Sequence, residues 1–168
     1  SLVSVWRIGY CPSPLPDEAS ILLSQGLGST FFDGRWHNKS GRQIVYAGSS
    51  RALCQLEKRV HTGGVTVRSQ ILMRLDLPND AILHDVKGLT DDWATDVAST
   101  RALGDAWLLS GASLGLWVPS VVEPLERNLL LNPSHPQYGS ITLSVVENSA
   151  MSASRCRSSG TNPTEGGT

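Results

Sequence analysis

Cysteine is scarce in this chain: three residues, Cys11, Cys54 and Cys156, odd in number and widely spaced over 168 positions. No Cys-x-x-Cys pair occurs, so neither a disulfide framework nor a zinc site is expected, and a reducing, cytoplasmic setting fits. Cys54 reads as a small packing residue. Charge of either sign is also not in excess. Charged residues make up 17% and the formal net charge is −1, which argues against direct nucleic-acid binding by bulk electrostatics. No apolar run approaches the roughly 18 residues that span a bilayer, so no membrane segment is expected. The opening Ser1-Leu-Val-Ser-Val-Trp-Arg7 lacks the basic and apolar regions of a signal peptide, and no Met begins it, so a missing or trimmed native N-terminus is expected. His61, His84 and His135 have no partners at ligand spacing, so no metal is expected, and His37, beside Trp36, either borders a site or, as the preferred reading, faces solvent. The Gly26-x-Gly28 pair does not open a long helix as a dinucleotide fingerprint does. No internal repeat is visible.

What is present is a chain with 40% hydrophobic residues, long enough for one domain with its own core. Period-two alternation predicts strands over 2–10, 43–47, 67–77, 81–84, 114–118 and 141–146, with a further apolar segment over 128–132. In the first, Val3, Val5 and Arg7 share a face. Tyr46 and Ile44 share a face in the second. Residues 18–23 suit a short helix. Two longer helices are expected. One runs from Ser49 to His61, capped by Ser49 or Ser50 and closed by Gly63-Gly64. The other runs over 99–110, capped by Ser99 or Thr100, with Ala102, Leu103, Ala106, Leu109 and Ser110 inward and Gly111 as its stop. Strands and helices alternate irregularly, so the expected fold is α+β, a single compact domain over 1–146 with mixed or antiparallel sheets and two main helices. Residues 147–168, rich in Ser, Gly, Thr and Pro, are expected to be a disordered tail.

Glu57 is the oddity. Leu53, Leu56 and Val60 trace the apolar stripe of the first long helix, and Glu57 falls inside it. A carboxylate aimed at a core is costly unless it is paired or has a task. It is either satisfied by an arginine from another element or is a functional acid in a pocket. Arg7, facing the same way as two valines, either pairs with such a carboxylate or grips a phosphate with its planar fork.

Taken together, the ordered blocks Trp6-Arg7-Ile8, Gly34-Arg35-Trp36, Val45-Tyr46-Ala47, Leu56-Glu57, Ser99-Thr100 to Trp107, Val118-Pro119-Ser120 and Asn128 to Pro133 resemble the RES domain family, from residue 5 to about residue 146. The resemblance implies a fold similar to NAD-using ADP-ribosyltransferase toxins. It implies an enzyme that cleaves the nicotinamide–ribose bond of NAD, with inorganic phosphate as acceptor in the described reaction and a protein as acceptor in some members. It implies Arg7 and Arg35 near phosphates, Tyr46 against the nicotinamide half and Glu57 as the catalytic acid residue. For the family serine, Ser99 at the head of the second long helix is the first choice, because a helix N-terminus with a hydroxyl suits an anionic ligand, and Ser120 is the second. No cofactor is implied beyond NAD and phosphate as substrates. The expected partner is an Xre-type antitoxin, with a homodimer as a further option. Three departures stand out: Asp33 where glycine is common, a turn from Trp36 to Gly41 one residue longer than usual, and the absence of the usual ending.

The chemistry fits these residues. Cleavage at a pyridinium-bearing ribose builds an oxocarbenium-like charge, which a carboxylate stabilises best in a dry pocket. Three readings compete: an NAD-cleaving enzyme, a transferase acting on a protein, and a non-catalytic binding module. Arg7, Arg35, Tyr46 and Glu57 standing together speak against the last.

Overall fold

In the computed structural model, which describes residues 2–11, 14–61 and 70–148, the alternating segments pair into one seven-stranded sheet. The elements in chain order are β1 (Ser4–Tyr10), α1 (Glu18–Ser24), β2 (Val45–Gly48), α2 (Arg51–His61), β3 (Gln70–Asp76), β4 (Leu83–Asp85), α3 (Val97–Ser110), β5 (Gly115–Pro119), β6 (Arg127–Leu131) and β7 (Thr142–Asn148). Their order across the sheet is β4-β5-β6-β2-β1-β3-β7. Neighbours are antiparallel except β4 and β5, which are parallel. The α+β expectation therefore holds, with α1 as a third, short helix.

Alternation sorts each strand's side chains onto two faces. Val45, Ala47, Leu129 and Leu131 join Val5, Ile71, Met73, Leu75 and Leu143 in the larger core, which α1 covers with Ile21 and Leu22. Ile44, Leu116, Val118 and Leu130, with Tyr46 beside them, form a second core with Trp36 and with Trp107 and Leu108 of α3. The loop carrying Arg35 and Trp36 is thus clamped between α3 and the sheet.

Three expectations about faces and ends need correcting. The inward face of α3 is Thr100, Gly104, Trp107 and Leu108, whereas Ala102, Ala106, Leu109 and Ser110 are exposed. Both stripes of this helix are apolar enough to serve, so periodicity does not choose between them. The choice is made by Trp36, whose carbonyl oxygen lies where a Cβ on residue 104 would go. The cap is Asp96, whose Oδ1 accepts from Ser99 N at 3.1 Å; Ser99 and Thr100 lie inside the helix. On α2, Leu56 is 44% exposed and the buried pair is Leu53 and Cys54. A Cβ on Gly48 would stand 3.0 Å from Cys54 N, so the bare glycine lets this part of α2 sit close over β2. Ser50 does cap α2, its Oγ accepting from Leu53 N at 3.1 Å. The Val60 side chain, Gly63-Gly64 and the start of the expected strand at 67–69 lie outside the described residues. β7 runs through Asn148, two residues past the expected domain edge at 146. The rest of the tail also lies outside.

Candidate active site

Trp6, Gly48, Asn128 and Val118 stand directly opposite one another on β1, β2, β6 and β5. Opposed residues of antiparallel strands share a face. The row therefore carries a gap at Gly48, and α2 closes over it. From α2, half-buried Glu57 reaches the β5–β6 end of the row. Its Oε1 accepts from Ser120 Oγ at 2.5 Å and from Asn128 Nδ2 at 2.9 Å. Ser120 lies two residues beyond Val118, so the strand period brings it to the same face, and it is fully buried. Its Oγ also accepts from Val122 N and Glu123 N, each at 3.1 Å, which ties it to the turn after β5.

Arg7 occupies the other side of β2. β1 and β2 stand in register at Trp6 and Gly48; next to that point the guanidinium bridges the strands, with Nη1 donating to Tyr46 O at 2.9 Å. Nε donates to Gln25 Oε1 at 2.8 Å, and Gln25 is itself fixed by bonds from its Nε2 to Tyr10 O and Ile21 O. Among the described residues no carboxylate pairs with Arg7. Burial pulls the guanidinium pKa below its ordinary value, as desolvation of a charge does. The same burial, helped by the Arg7 charge, lowers the Lys58 ammonium on α2. Burial also pushes the Cys54 thiol up to about 11, against the opposing pull of Arg7 and Lys58, with Glu57 also within electrostatic reach. The thiol stays protonated and packs. Arg7, Lys58 and Glu57 thus each lie within electrostatic reach of the Cys54 sulfur.

The Arg35 loop is held from three directions. Arg35 Nη1 donates to Ala94 O at 2.9 Å, Thr100 Oγ1 donates to Arg35 O at 2.7 Å, and Arg101 Nε donates to Gly34 O at 2.7 Å. Farther along, Asp105 accepts from both Asn38 N and Asn38 Nδ2, and Asp33 Oδ1 accepts from Lys39 N at 2.8 Å. Asp33, in the place of a glycine, thus closes the longer turn, and that bond holds its carboxyl below the usual range.

His37 is not a solvent residue. It is buried, and its Nε2 faces the Ser29 and Phe32 carbonyls, both at 3.0 Å. Carbonyls only accept, so Nε2 carries the proton and Nδ1 accepts from Tyr46 Oη at 2.6 Å. Tyr46 Oη accepts in turn from Trp36 N at 3.2 Å. Burial drives the phenol above its ordinary pKa. The hydroxyl is therefore committed to the loop, and only the half-buried ring of Tyr46 is left to meet a ligand. No sequence period marks an inward histidine in a loop.

The fold brings Glu57 and Ser120 into contact and sets Arg7 on the neighbouring strand pair. Arg35 lies on the loop that Tyr46 holds. Ser99 sits in the first turn of α3, where its amide serves the Asp96 cap. Asn128 was not singled out by sequence. Its parity with buried Leu130 was the available signal, since a polar residue on a core-facing register needs a partner. Among the described residues, no group of three or more His, Cys, Asp and Glu side chains comes together.

The sequence profile of the RES domain matches residues 4–151. The chain is similar to "Toxin Res" of Photorhabdus laumondii, 38% identical over 112 residues, which span 64% of this chain and 71% of that protein. It is similar to "Prs ADP-ribosylating toxin" of a Sphingobium species, 37% identical over 141 residues, 79% of this chain and 84% of that protein. Among solved structures it resembles the M. tuberculosis MbcT–MbcA toxin–antitoxin complex, with a TM-score of 0.64 at 17% identity, covering 93% of this chain and 90% of that chain. At that identity the likeness concerns the fold.

Proposed function

Because this chain belongs to the RES domain family, we propose that it is a toxin-like enzyme that cleaves the nicotinamide–ribose bond of NAD with inorganic phosphate as the acceptor. The observation that carries this reading is the Glu57 carboxylate, held by Ser120 and Asn128, with the Arg7 guanidinium fixed on β1, next to β2 in the sheet. A positive ribose carbon and a negative pyrophosphate are the two ends of one substrate, and the site offers one group of each complementary sign.

In this mechanism nicotinamide departs as a neutral pyridine, taking the electron pair of the C–N bond. The anomeric carbon becomes oxocarbenium-like, and Glu57 stabilises it. Arg7 and Arg35 neutralise phosphate oxygens, of the substrate or of the acceptor. The Tyr46 ring flanks the nicotinamide half. A phosphate oxygen then bonds to the anomeric carbon from the opposite face. Ser120 takes the role of the family serine in preference to Ser99, because it touches Glu57. The reaction needs no cofactor beyond these substrates.

A toxin of this kind works on the cytoplasmic NAD pool and is restrained by an antitoxin. That the neighbouring fold is a toxin held by its antitoxin supports such a partner, and an Xre-type protein is the one we propose. No helix among the described residues is long and apolar enough to cross a membrane. A second reading, transfer of ADP-ribose to a protein, is favoured by the printed name of the Sphingobium relative.

Incubating the purified chain with NAD across a phosphate series separates these readings. Nicotinamide release is expected to rise with phosphate, and mass spectrometry of the nucleotide is expected to give ADP-ribose phosphorylated at the anomeric carbon. Plain ADP-ribose at saturating phosphate would make it a hydrolase. Label on a protein would make it a transferase.

A further inference from the structure

Glu57 is held unevenly. Both hydrogen bonds it receives end on Oε1, one from Ser120 Oγ and one from Asn128 Nδ2. The Ser120 hydroxyl has no alternative: its lone pairs are taken by Val122 N and Glu123 N, so its single proton goes to Glu57. The two amides polarise the hydroxyl and strengthen that bond. The Asn128 amide is oriented by the same logic, because a carboxylate oxygen accepts and only the Nδ2 edge donates. Oε2 receives no bond from the described residues, yet every buried polar side-chain atom among them has a partner.

We infer that Asn128 is a positioning residue for Glu57: together with Ser120 it commits Oε1 and fixes the carboxylate plane, so that Oε2 is the oxygen presented to the ribose. This rests on the NAD-cleaving reading above. It goes beyond that reading by assigning different work to the two oxygens and by giving β6 a part in the site. The strand supports the role. Asn128 lies opposite Gly48 and Val118, so its backbone is fixed from both sides and its short side chain has little freedom. Ser120 alone would leave the carboxylate free to rotate about its single anchored oxygen. Two donors, one from β6 and one from the turn after β5, remove that rotation.

Kinetics of Asn128→Ala, Asn128→Asp and Ser120→Ala with NAD at saturating phosphate test the inference, each variant checked by thermal melting. Asn128→Ala is expected to lower kcat by about 10²-fold, the usual scale for misplacement of a reacting group. KM for NAD is expected to stay at the parental value, the pattern of an interaction used only in the transition state. Asn128→Asp keeps the shape but sets a second carboxylate against Glu57, and is expected to lose more. Asn128→Ala combined with Ser120→Ala is expected to lose less than the product of the two single effects, because both act on one oxygen. Parental kcat in folded Asn128→Ala, or a rise in KM alone, overturns the inference. If the parent chain itself releases no nicotinamide, the NAD reading fails separately. Crystal structures of the parent and Asn128→Ala then decide: a Glu57 carboxylate rotated off its parental plane upholds the positioning role, and an unmoved one overturns it.

Discussion

Glu57→Gln is expected to reduce NAD cleavage by about 10²–10³-fold, the scale of losing one preorganised electrostatic contact, while the fold is retained. The amide is isosteric, and its oxygen can still accept from Ser120 Oγ and Asn128 Nδ2, so the anchoring of α2 to β5 and β6 survives. What disappears is the negative charge facing the ribose. Half-buried and backed by apolar strands, that charge acts in a medium less screening than water, where its attraction for a developing cation is larger. Nicotinamide release, followed beside the melting temperature, reads both parts of the expectation. Cleavage at the parental rate would place the chemistry on another group.

Gly104→Ala is expected to have the largest effect on stability, and to act on the site as well. A Cβ at this position runs into the Trp36 carbonyl oxygen. The better helix propensity of alanine offers about 1 kcal/mol in compensation. Overpacking against backbone usually costs about 1–3 kcal/mol and sometimes more. Here the upper end is expected, because the loop cannot retreat alone. Thr100 Oγ1 on Arg35 O, Arg101 Nε on Gly34 O and the Asn38–Asp105 pair all hold it to α3. Lifting the loop would break several of these bonds and carry Arg35 away from Ala94. A net loss of about 2 kcal/mol in urea unfolding, with weakened NAD binding, is the expected outcome. A variant as stable as its parent would mean that the loop slides freely over the helix.

Much of this architecture is legible in the residues. Alternation identifies the strands, and Ser50 marks the start of α2. A carboxylate on the inward side of that helix flags Glu57 before any contact is known, even though Leu56 does not belong to the buried face. Other features lie outside local pattern. The inward face of α3 depends on where a distant carbonyl passes Gly104. The capping carboxylate, Asp96, lies three residues ahead of the expected serine, because both kinds of residue cap and only backbone geometry selects one. His37 follows a tryptophan in a polar turn and looks solvated; its burial is set by the Ser29 and Phe32 carbonyls and by Tyr46, none of which is near it in helical or strand register. The preference for Ser120 over Ser99 is likewise a matter of long-range contact. The helix N-terminus offered a generic anion site, whereas the serine after β5 offers a bond to Glu57 across 63 positions of sequence.

The central claim is that NAD is cleaved at the Glu57 carboxylate with its phosphates toward the arginines. A crystal structure of the Glu57→Gln variant soaked with NAD tests it most directly, since the slowed enzyme holds its substrate intact. The account predicts the anomeric carbon of the nicotinamide ribose within contact of the substituted side chain, the pyrophosphate against Arg7 or Arg35, and the nicotinamide beside the Tyr46 ring. NAD bound with its adenine half at that position, or on a surface away from the Glu57–Ser120–Asn128 cluster, would contradict it.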